Sequence, residues 1–328
     1  MKKFLEKIIV FAVLFSVSIS GAGTEKLSTP YWEFVYKGNG QIKIQNNAVL
    51  NIESVIDVSS NITGFIFDGI AATNSTYGVD DNSHFILWIE NDDGKGKLLA
   101  KPNKKNKTVA IQNFTIVASN SSLKKITVKV GNNNFIDENK SIGGVISDPF
   151  FGSASFPSAI FVDGDIGTLN LNCDLFGSLI YAENIGTLKF KNSDFASIMV
   201  GSPDKFIHGV VIGSVTNNNL MTFKAGTIGK LIANRIMNTI ISTGGALPNC
   251  LMDDAPSAFA TPLLAPKGSI GSLKAKEIGA WGDYEEEKWW LSDKFFLNKI
   301  SVVLSSEINK FNVKNITTEN TSVYIHGR

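Results

Sequence analysis

IGTLNLNCDLFGSLIYAEN (residues 166–184) is followed directly by IGTLKFKNSDFASIMVGS (residues 185–202), and this pair of stretches decides the fold. The opening phrase returns as Ile228-Gly-Lys-Leu231 and as Ile270-Gly-Ser-Leu273. A short apolar phrase that recurs along one chain indicates a structural unit that the chain repeats.

Each phrase continues as a strand. Leu169 and Leu171 lie two residues apart, so both point to one side, while Asn170 and Asn172 point to the other. The glycine after each isoleucine is typical of a sharp bend. The two stretches align along their whole length, with four further matched pairs: Phe176 with Phe195, Ser178 with Ser197, Leu179 with Ile198, and Tyr181 with Val200.

The spacing of the copies sets the size of the repeat. Looser copies begin at Leu123 and Ile308, on either side of those that begin at Ile166, Ile185, Ile228 and Ile270. We interpret the shortest step, from Ile166 to Ile185, as one turn, and each longer step as two turns with one unmarked turn inside. The pattern predicts an all-β parallel β-solenoid of about 20 residues per turn, in which stacked turns bury a shared interior. A β-sandwich or jelly roll would share the strands but gives no reason for this spacing.

The Ile-Gly-x-Leu repeats resemble those of secreted and surface bacterial parallel β-helix proteins, within the broad pectate-lyase-like architecture. The resemblance covers about residues 120–328 and implies a single-stranded parallel β-helix. Because the six-residue pattern of shorter coils is missing, we expect a right-handed coil. Such proteins include polysaccharide lyases and hydrolases, adhesins and passenger domains, but none of their catalytic motifs can be placed on this chain.

The chain divides into three predicted parts. Residues 1–22 have the charged start, apolar run and small residues of a signal peptide, with an uncleaved membrane anchor as the alternative. Residues 23–40 form a cap, in which the aromatic segment Tyr31–Tyr36 covers the open end of the coil. Residues 41–328 form the solenoid, with two late insertions at 244–267 and 281–297. No later apolar run is long enough to span a membrane.

The first part of the predicted solenoid is less regular. Ile42 and Ile62 lie one predicted turn apart and are interpreted as equivalent points on successive turns. The lysine-rich stretch from Asp92 to Lys107 is predicted to be a protruding hairpin or loop.

The overall charge argues against some partners. The net charge is +1, which gives no reason to expect nucleic acid or an acidic membrane. Only Arg235 and Arg328 are arginines, so the chain has few side chains that could form bidentate contacts with phosphate. Cys173 and Cys250 are the only cysteines, and whether they pair is left open.

The two insertions hold the candidate binding residues, because loops on a rigid scaffold are the usual place for them. Flat aromatic rings beside carboxylates suit sugar rings. This predicts a ligand-binding set made of Trp281, Tyr284, Trp289, Asp253, Asp254 and Asp283. The alternatives are an amphipathic helix over 283–296 that packs against the coil, and acids that only form solvated turns.

The sequence gives little support for a catalytic site or a metal site. Glycoside hydrolysis needs two carboxyl groups about 5–9.5 Å apart. The acid pairs Asp253–Asp254 and Asp163 with Asp165 are the candidates for this chemistry. The resemblance to β-helix lyases instead implies acidic Ca²⁺ ligands and a basic residue that acts as base. Such a set could come from Asp253, Asp254 and Asp283 with Lys288 only if the two insertions converge. The three histidines lack metal-ligand spacing. Isolated acids at 80–81 and 92–93 are weak signals for Ca²⁺, and no cofactor is expected.

The sequence therefore predicts a secreted or surface-displayed bacterial β-solenoid with a structural, adhesive or ligand-binding role. Its expected partner is a glycan or another surface protein. The alternative is a polysaccharide lyase or glycoside hydrolase on a β-helix scaffold.

Overall fold

The fold is taken from a computed structural model that describes residues 23–29, 32–46, 48–57, 62–72, 85–102, 114–129, 141–143, 153–156, 159–176, 178–194, 196–201, 225–243, 268–279, 301–317 and 323–326. Strands and the turns between them make up these residues, which include no helix. No helix long and apolar enough to cross a membrane occurs in this part of the chain.

The strands before residue 160 are longer and more varied than those after it. They are β1 (Gly23–Ser28), β2 (Trp32–Gly38), β3 (Gln41–Asn46), β4 (Ala48–Asp57), β5 (Ile62–Ala72), β6 (Phe85–Glu90), β7 (Asp93–Pro102), β8 (Phe114–Ser119), β9 (Ser122–Lys129), β10 (Ser141–Gly143), β11 (Ser153–Phe156) and β12 (Ala159–Val162).

The later strands come mostly in groups of three. They are β13 (Asp165–Asn172), β14 (Asp174–Phe176) and β15 (Leu179–Ala182); β16 (Asn184–Lys189), β17 (Asn192–Asp194) and β18 (Ser197–Val200); β19 (Thr227–Ile232), β20 (Arg235–Met237) and β21 (Ile240–Ser242); β22 (Ser269–Gly279) and β23 (Ser301–Leu304); and β24 (Glu307–Ile308), β25 (Phe311–Thr317) and β26 (Val323–His326).

Parallel sheets dominate the described residues. The largest has fourteen strands in the order β1-β2-β7-β9-β13-β16-β19-β22-β20-β17-β14-β10, with β24 and β25 paired to β22. A second has nine strands in the order β26-β23-β21-β18-β15-β12-β8-β6-β3. Strands of one position in the repeat pair with the same position in the next, so the all-β prediction is confirmed and the arrangement is consistent with a β-solenoid.

The repeated phrases stack directly on one another. Ile166 pairs with Ile185, Ile185 with Ile228, Ile228 with Ile270, and Ile270 with Ile308, always in parallel register. The prediction of an unmarked turn inside each long gap is therefore wrong. The copies lie on hydrogen-bonded neighbouring strands, so no strand lies between them in this sheet.

The alignment of the first two copies needs a second correction. Ile166 pairs with Ile185, but Ile180 pairs with Ile198, so the offset between the two copies shortens by one residue after the phrase. Three of the four further matches predicted beyond the phrase, those of Phe176, Leu179 and Tyr181, are each one residue out of register. A shift of one residue exchanges the two faces of a strand, and the true register keeps Ile180 and Ile198 inside.

Columns of identical or similar side chains form the core. One column runs through the fourteen-stranded sheet as Leu98, Ile126, Leu169, Leu188, Leu231 and Leu273, all buried and paired in register. Another runs through the nine-stranded sheet as Leu87, Ile116, Ile160, Ile180, Ile198, Ile241 and Val303. The predicted inward Leu169 and Leu171 and outward Asn170 and Asn172 are confirmed.

Close approach between turns explains the glycine of the phrase. A Cβ added to Gly186 would lie 2.5 Å from the carbonyl oxygen of Gly167, and one added to Gly229 would lie 2.5 Å from that of Gly186. Among the described glycines, only Gly94 and Gly201 have positive φ. The phrase therefore requires glycine because successive backbones pack tightly, rather than for a left-handed bend.

The N-terminal strands pair differently from the rest. β1 pairs antiparallel with β2, β2 with β7, β3 with β6, and β4 with β5. Ile42 pairs with Ile89 and Ile62 with Asp57, so the interpretation of these isoleucines as equivalent points on stacked turns is wrong. The boundaries 1–22, 23–40 and 41–328 stay predictions.

The lysine-rich stretch after Asp92 begins with a strand of the main sheet. Residues 93–102 form β7, which pairs with β2 and β9, so for these residues the prediction of a protruding loop is wrong. Leu98 and Ala100 are buried, and they alternate with Lys97, Leu99 and Lys101. The lysines lie on the solvent side of this half-buried strand, so its sequence resembles that of a polar loop.

Candidate functional site

The predicted binding residues lie outside the described part of the chain. This applies to Trp281, Tyr284, Trp289, Asp253, Asp254 and Asp283, and also to Cys250. Their convergence into a ligand-binding or catalytic set stays a prediction. Cys173 is buried in the hydrophobic core.

The ends of the strands that flank the two insertions are described. The segment 244–267 follows the carboxyl end of β21, whereas 281–297 precedes the amino end of β23. β21 and β23 are parallel neighbours, with Ile240 opposite Val302, so the two segments join this strand pair at opposite ends. Gly226, which follows the segment 202–224, donates its N–H to the carbonyl oxygen of Thr243, which directly precedes 244–267, at 2.9 Å.

The acid pair that precedes the first phrase holds turns together. Asp163 accepts backbone hydrogen bonds from Asn120 and from Ser121, the latter at 2.8 Å. Burial raises the pKa of the Asp163 carboxyl above its ordinary value, while the two backbone N–H groups oppose that shift. Asp165 accepts a hydrogen bond from the Asn184 side chain at 2.7 Å. Both acids are engaged by the neighbouring turns of the coil.

A second acid forms the polar centre of the N-terminal end. Asp92 is 3% exposed, and its carboxylate accepts hydrogen bonds from the Tyr36 hydroxyl and from the N–H groups of Gly94 and Gly96 at 3.0 and 2.8 Å. Burial, together with the bond to Asp92, raises the pKa of Tyr36 well above its ordinary value. Among the described residues, no group of three or more His, Cys, Asp or Glu could hold a metal ion.

Arg235, the only internal arginine of the chain, is also occupied. Its Nε donates to Glu277 Oε2 at 2.8 Å, and the other oxygen of Glu277 accepts from the Thr317 hydroxyl at 2.8 Å. Arg235 pairs in register with Asn192 on one side and Glu277 on the other. Its guanidinium therefore belongs to a polar row across neighbouring paired strands.

The outward side of the fourteen-stranded sheet carries a set of lysines that sequence reasoning missed. Inward residues such as Leu98, Ile126 and Leu188 alternate with outward ones, and many outward positions are lysine. We call this surface the lysine-rich face, and its lysines are Lys37 on β2, Lys97 and Lys101 on β7, Lys125 and Lys129 on β9, Lys189 on β16, Lys230 on β19, and Lys274 on β22.

Strand register arranges these lysines in rows across the sheet. The first row reads Lys37, Lys97, Lys125, Thr168, Thr187, Lys230 and Ser272, each paired with the next. The second reads Val35, Leu99, Thr127, Asn170, Lys189, Ile232, Lys274 and Asn312. From β2 to β22 are six strand steps, so the face extends about 29 Å at roughly 4.8 Å per strand.

Most of this positive charge is uncompensated. All the lysines of the face except Lys101 are exposed. Neither of the two rows contains an acid, and Lys101, beside the second row, forms an ion pair with Glu33 at 3.0 Å. The two rows, which consist of described residues alone, also contain no aromatic side chain. The arrangement can attract a negatively charged surface over many points, but it offers no ring for stacking.

A signal for this face was present in the sequence. Lys95, Lys97 and Lys101, and later Lys274 and Lys276, keep an even spacing that matches the two-residue period of a strand. The whole-chain net charge concealed it, because acids such as Asp92, Asp163 and Glu277 offset the lysines in the sum, although they lie outside the two rows and accept hydrogen bonds from other groups.

No protein-family model matches the chain, and neither a curated protein nor a solved structure is significantly similar to it. The resemblance to bacterial β-helix proteins therefore depends on the repeats and on the strand arrangement.

Proposed function

We propose that the chain is a single-stranded parallel β-helix that is exported and acts at the bacterial cell envelope as an adhesive or ligand-binding scaffold. The coil is right-handed, with about 20 residues per turn. The pairing of Ile166 with Ile185 and of Ile180 with Ile198 supports that turn length where no long loop intervenes. Export follows from the signal-like residues 1–22.

One observation carries this proposal: stacked turns present a continuous side of the sheet to solvent while their interiors form unbroken apolar columns. A solenoid of this kind is stabilised by contacts between neighbouring turns and provides an extended binding surface. Acids that could have suggested catalysis, Asp163 and Asp165, instead bind turns of the coil. These two acids therefore favour binding over hydrolysis as the proposed role, while the acids of the two insertions lie outside the described residues.

A binding screen of the purified exported chain tests the role. We expect saturable binding to at least one class among an array of glycans, surface proteins and cell-envelope fractions. Two variants locate the site, because Trp289→Ala removes an aromatic ring of the second insertion, and the double variant Lys97→Gln, Lys125→Gln removes charge from the sheet. A folded chain that binds none of these materials would contradict the proposal.

A further inference from the structure

We propose that the lysine-rich face docks onto an anionic membrane surface by electrostatic attraction alone. This inference rests on the proposed function, since it assigns the partner of an exported scaffold. It also supplies the means by which the chain is held at the envelope.

The packing of the lysines is the first argument. Lys37, Lys97 and Lys125 occupy adjacent positions in one row on three neighbouring strands, about 4.8 Å apart from strand to strand. Like charges at directly opposite positions of a sheet destabilise it. A face that serves only for solubility gains nothing from placing three lysines side by side. An anionic partner offsets their repulsion.

The shape of the array is the second argument. The lysines spread over two dimensions, along each strand and across six strand steps, instead of following one line. Lys125 and Lys129 lie on one strand, while Lys189 and Lys274 lie further across the sheet. A planar anionic surface can meet all of these positions at once. A single linear polymer would follow only one row.

The chemistry of the outward side chains is the third argument. Recognition of single-stranded nucleic acid uses aromatic side chains on which bases stack. Bidentate phosphate contacts use arginine. The two described rows hold no aromatic residue, and the internal arginine, Arg235, is paired with Glu277. Lysine ammonium groups act as point charges, which suits attraction to many headgroups without recognition of one.

Charge distribution makes such docking compatible with a net charge of +1. Clusters of four to eight basic residues are typical of proteins that bind anionic lipids. Each lysine near such a surface strengthens binding about fivefold, which is the equivalent of roughly 1 kcal/mol. Attraction of this kind falls off over a Debye length of about 8 Å at physiological ionic strength, so only the face turned toward the membrane contributes.

Vesicle sedimentation with the purified exported chain tests the proposal. We compare vesicles of phosphatidylcholine alone with vesicles that also contain phosphatidylglycerol, at low and at high salt. The test variant changes Lys97, Lys125, Lys189 and Lys230 to glutamine together. The matched control changes the same four to arginine, which keeps the charge and the outward position.

The expected result is binding to the anionic vesicles only, with loss of binding as the salt approaches about 1 M, where the Debye length falls to about 3 Å. The glutamine variant should bind on the order of several hundred-fold more weakly, from about fivefold per lysine, whereas the arginine variant should bind like the parent. Unchanged thermal unfolding shows that both variants are folded.

Three results would overturn the inference. They are equal binding to neutral vesicles, parent-like binding by the glutamine variant, and binding to a soluble anionic polymer with none to anionic vesicles. The last result would make the partner a polyanionic chain. If the parent chain instead binds a glycan or surface protein in the array but no vesicle, the docking inference fails and the proposed function stands.

Discussion

Gly271→Ala tests the reason for the glycine in the repeated phrase. A Cβ at this position would lie 2.5 Å from the carbonyl oxygen of Gly229, on the preceding turn. Ordinary contacts between carbon and carbonyl oxygen on adjacent strands are about 3.3–3.6 Å. The two backbones must therefore separate locally by close to 1 Å, and this would stretch the hydrogen bonds between β19 and β22.

The expected cost follows from that clash. Overpacking of a well-packed interior costs about 1–3 kcal/mol. Replacing glycine also restricts the unfolded chain, which stabilises the fold by about 0.4–1 kcal/mol. The φ angle of Gly271 is not in the left-handed region, so backbone strain adds nothing. We expect a net loss of about 1–2 kcal/mol in the free energy of unfolding.

Gly279→Ala is the matched control, because Gly279 lies on the same strand, β22. The nearest atoms to its added Cβ are the Met237 Cε at 3.0 Å, the end of a flexible side chain, and the Thr317 Cβ at 3.2 Å. Both contacts are looser than the 2.5 Å approach at Gly271. Chemical denaturation followed by circular dichroism measures both variants. We expect Gly271→Ala to unfold at clearly lower denaturant than Gly279→Ala. Equal midpoints, or a larger loss at Gly279, would refute the close-packing explanation.

Three further substitutions, and one control, test the core and two acids that accept hydrogen bonds from neighbouring segments. Leu188→Asp buries an unpaired charge at a fully buried position and should cost several kcal/mol, whereas Lys189→Asp at the exposed neighbour should leave a folded protein. Tyr36→Phe removes the hydroxyl that donates to buried Asp92 and should cost about 1–3 kcal/mol. Because the folded pKa of Tyr36 is raised, the parent should lose stability above pH 10.0 and the phenylalanine variant should lack that step. Asp163 also has a raised pKa in the folded state, so the stability that its protonated carboxyl contributes is present in acid and is lost as pH rises above 3.8. The free energy of unfolding of the parent, relative to that of Asp163→Asn, should therefore fall from acid to neutral pH.

The sequence predicted the strands that carry strong alternation. Leu169 and Leu171 point inward and pair with equivalents on a neighbouring turn because a half-buried parallel strand needs apolar residues at every second position. The stacking of Ile166, Ile185 and Ile228 follows for the same reason. Identical side chains in register form a column that excludes water from every turn it crosses.

Distances along the chain were a poor guide to distances through the fold. Ile185 and Ile228 are two predicted turns apart in the sequence, yet they are neighbours across one strand pair. Loops can lengthen with little entropic penalty, so a chain can add residues between two stacked strands without adding a turn. The sequence offset between paired residues is one residue larger for Ile166–Ile185 than for Ile180–Ile198. This change arises at a junction between strands, and the amino-acid composition does not indicate it.

The missed lysine-rich face shows why a whole-chain property can hide a local one. In the net charge of the whole chain, Lys97 and Asp92 cancel. In the fold, Asp92 is buried just before β7 begins, whereas Lys97 on β7 is exposed to solvent. The acid side chain is buried, and there it accepts hydrogen bonds from backbone and tyrosine. Once register assigns each residue to a side of the sheet, the exposed charge of this face is strongly positive. Partner predictions for a solenoid therefore depend on charge counted face by face.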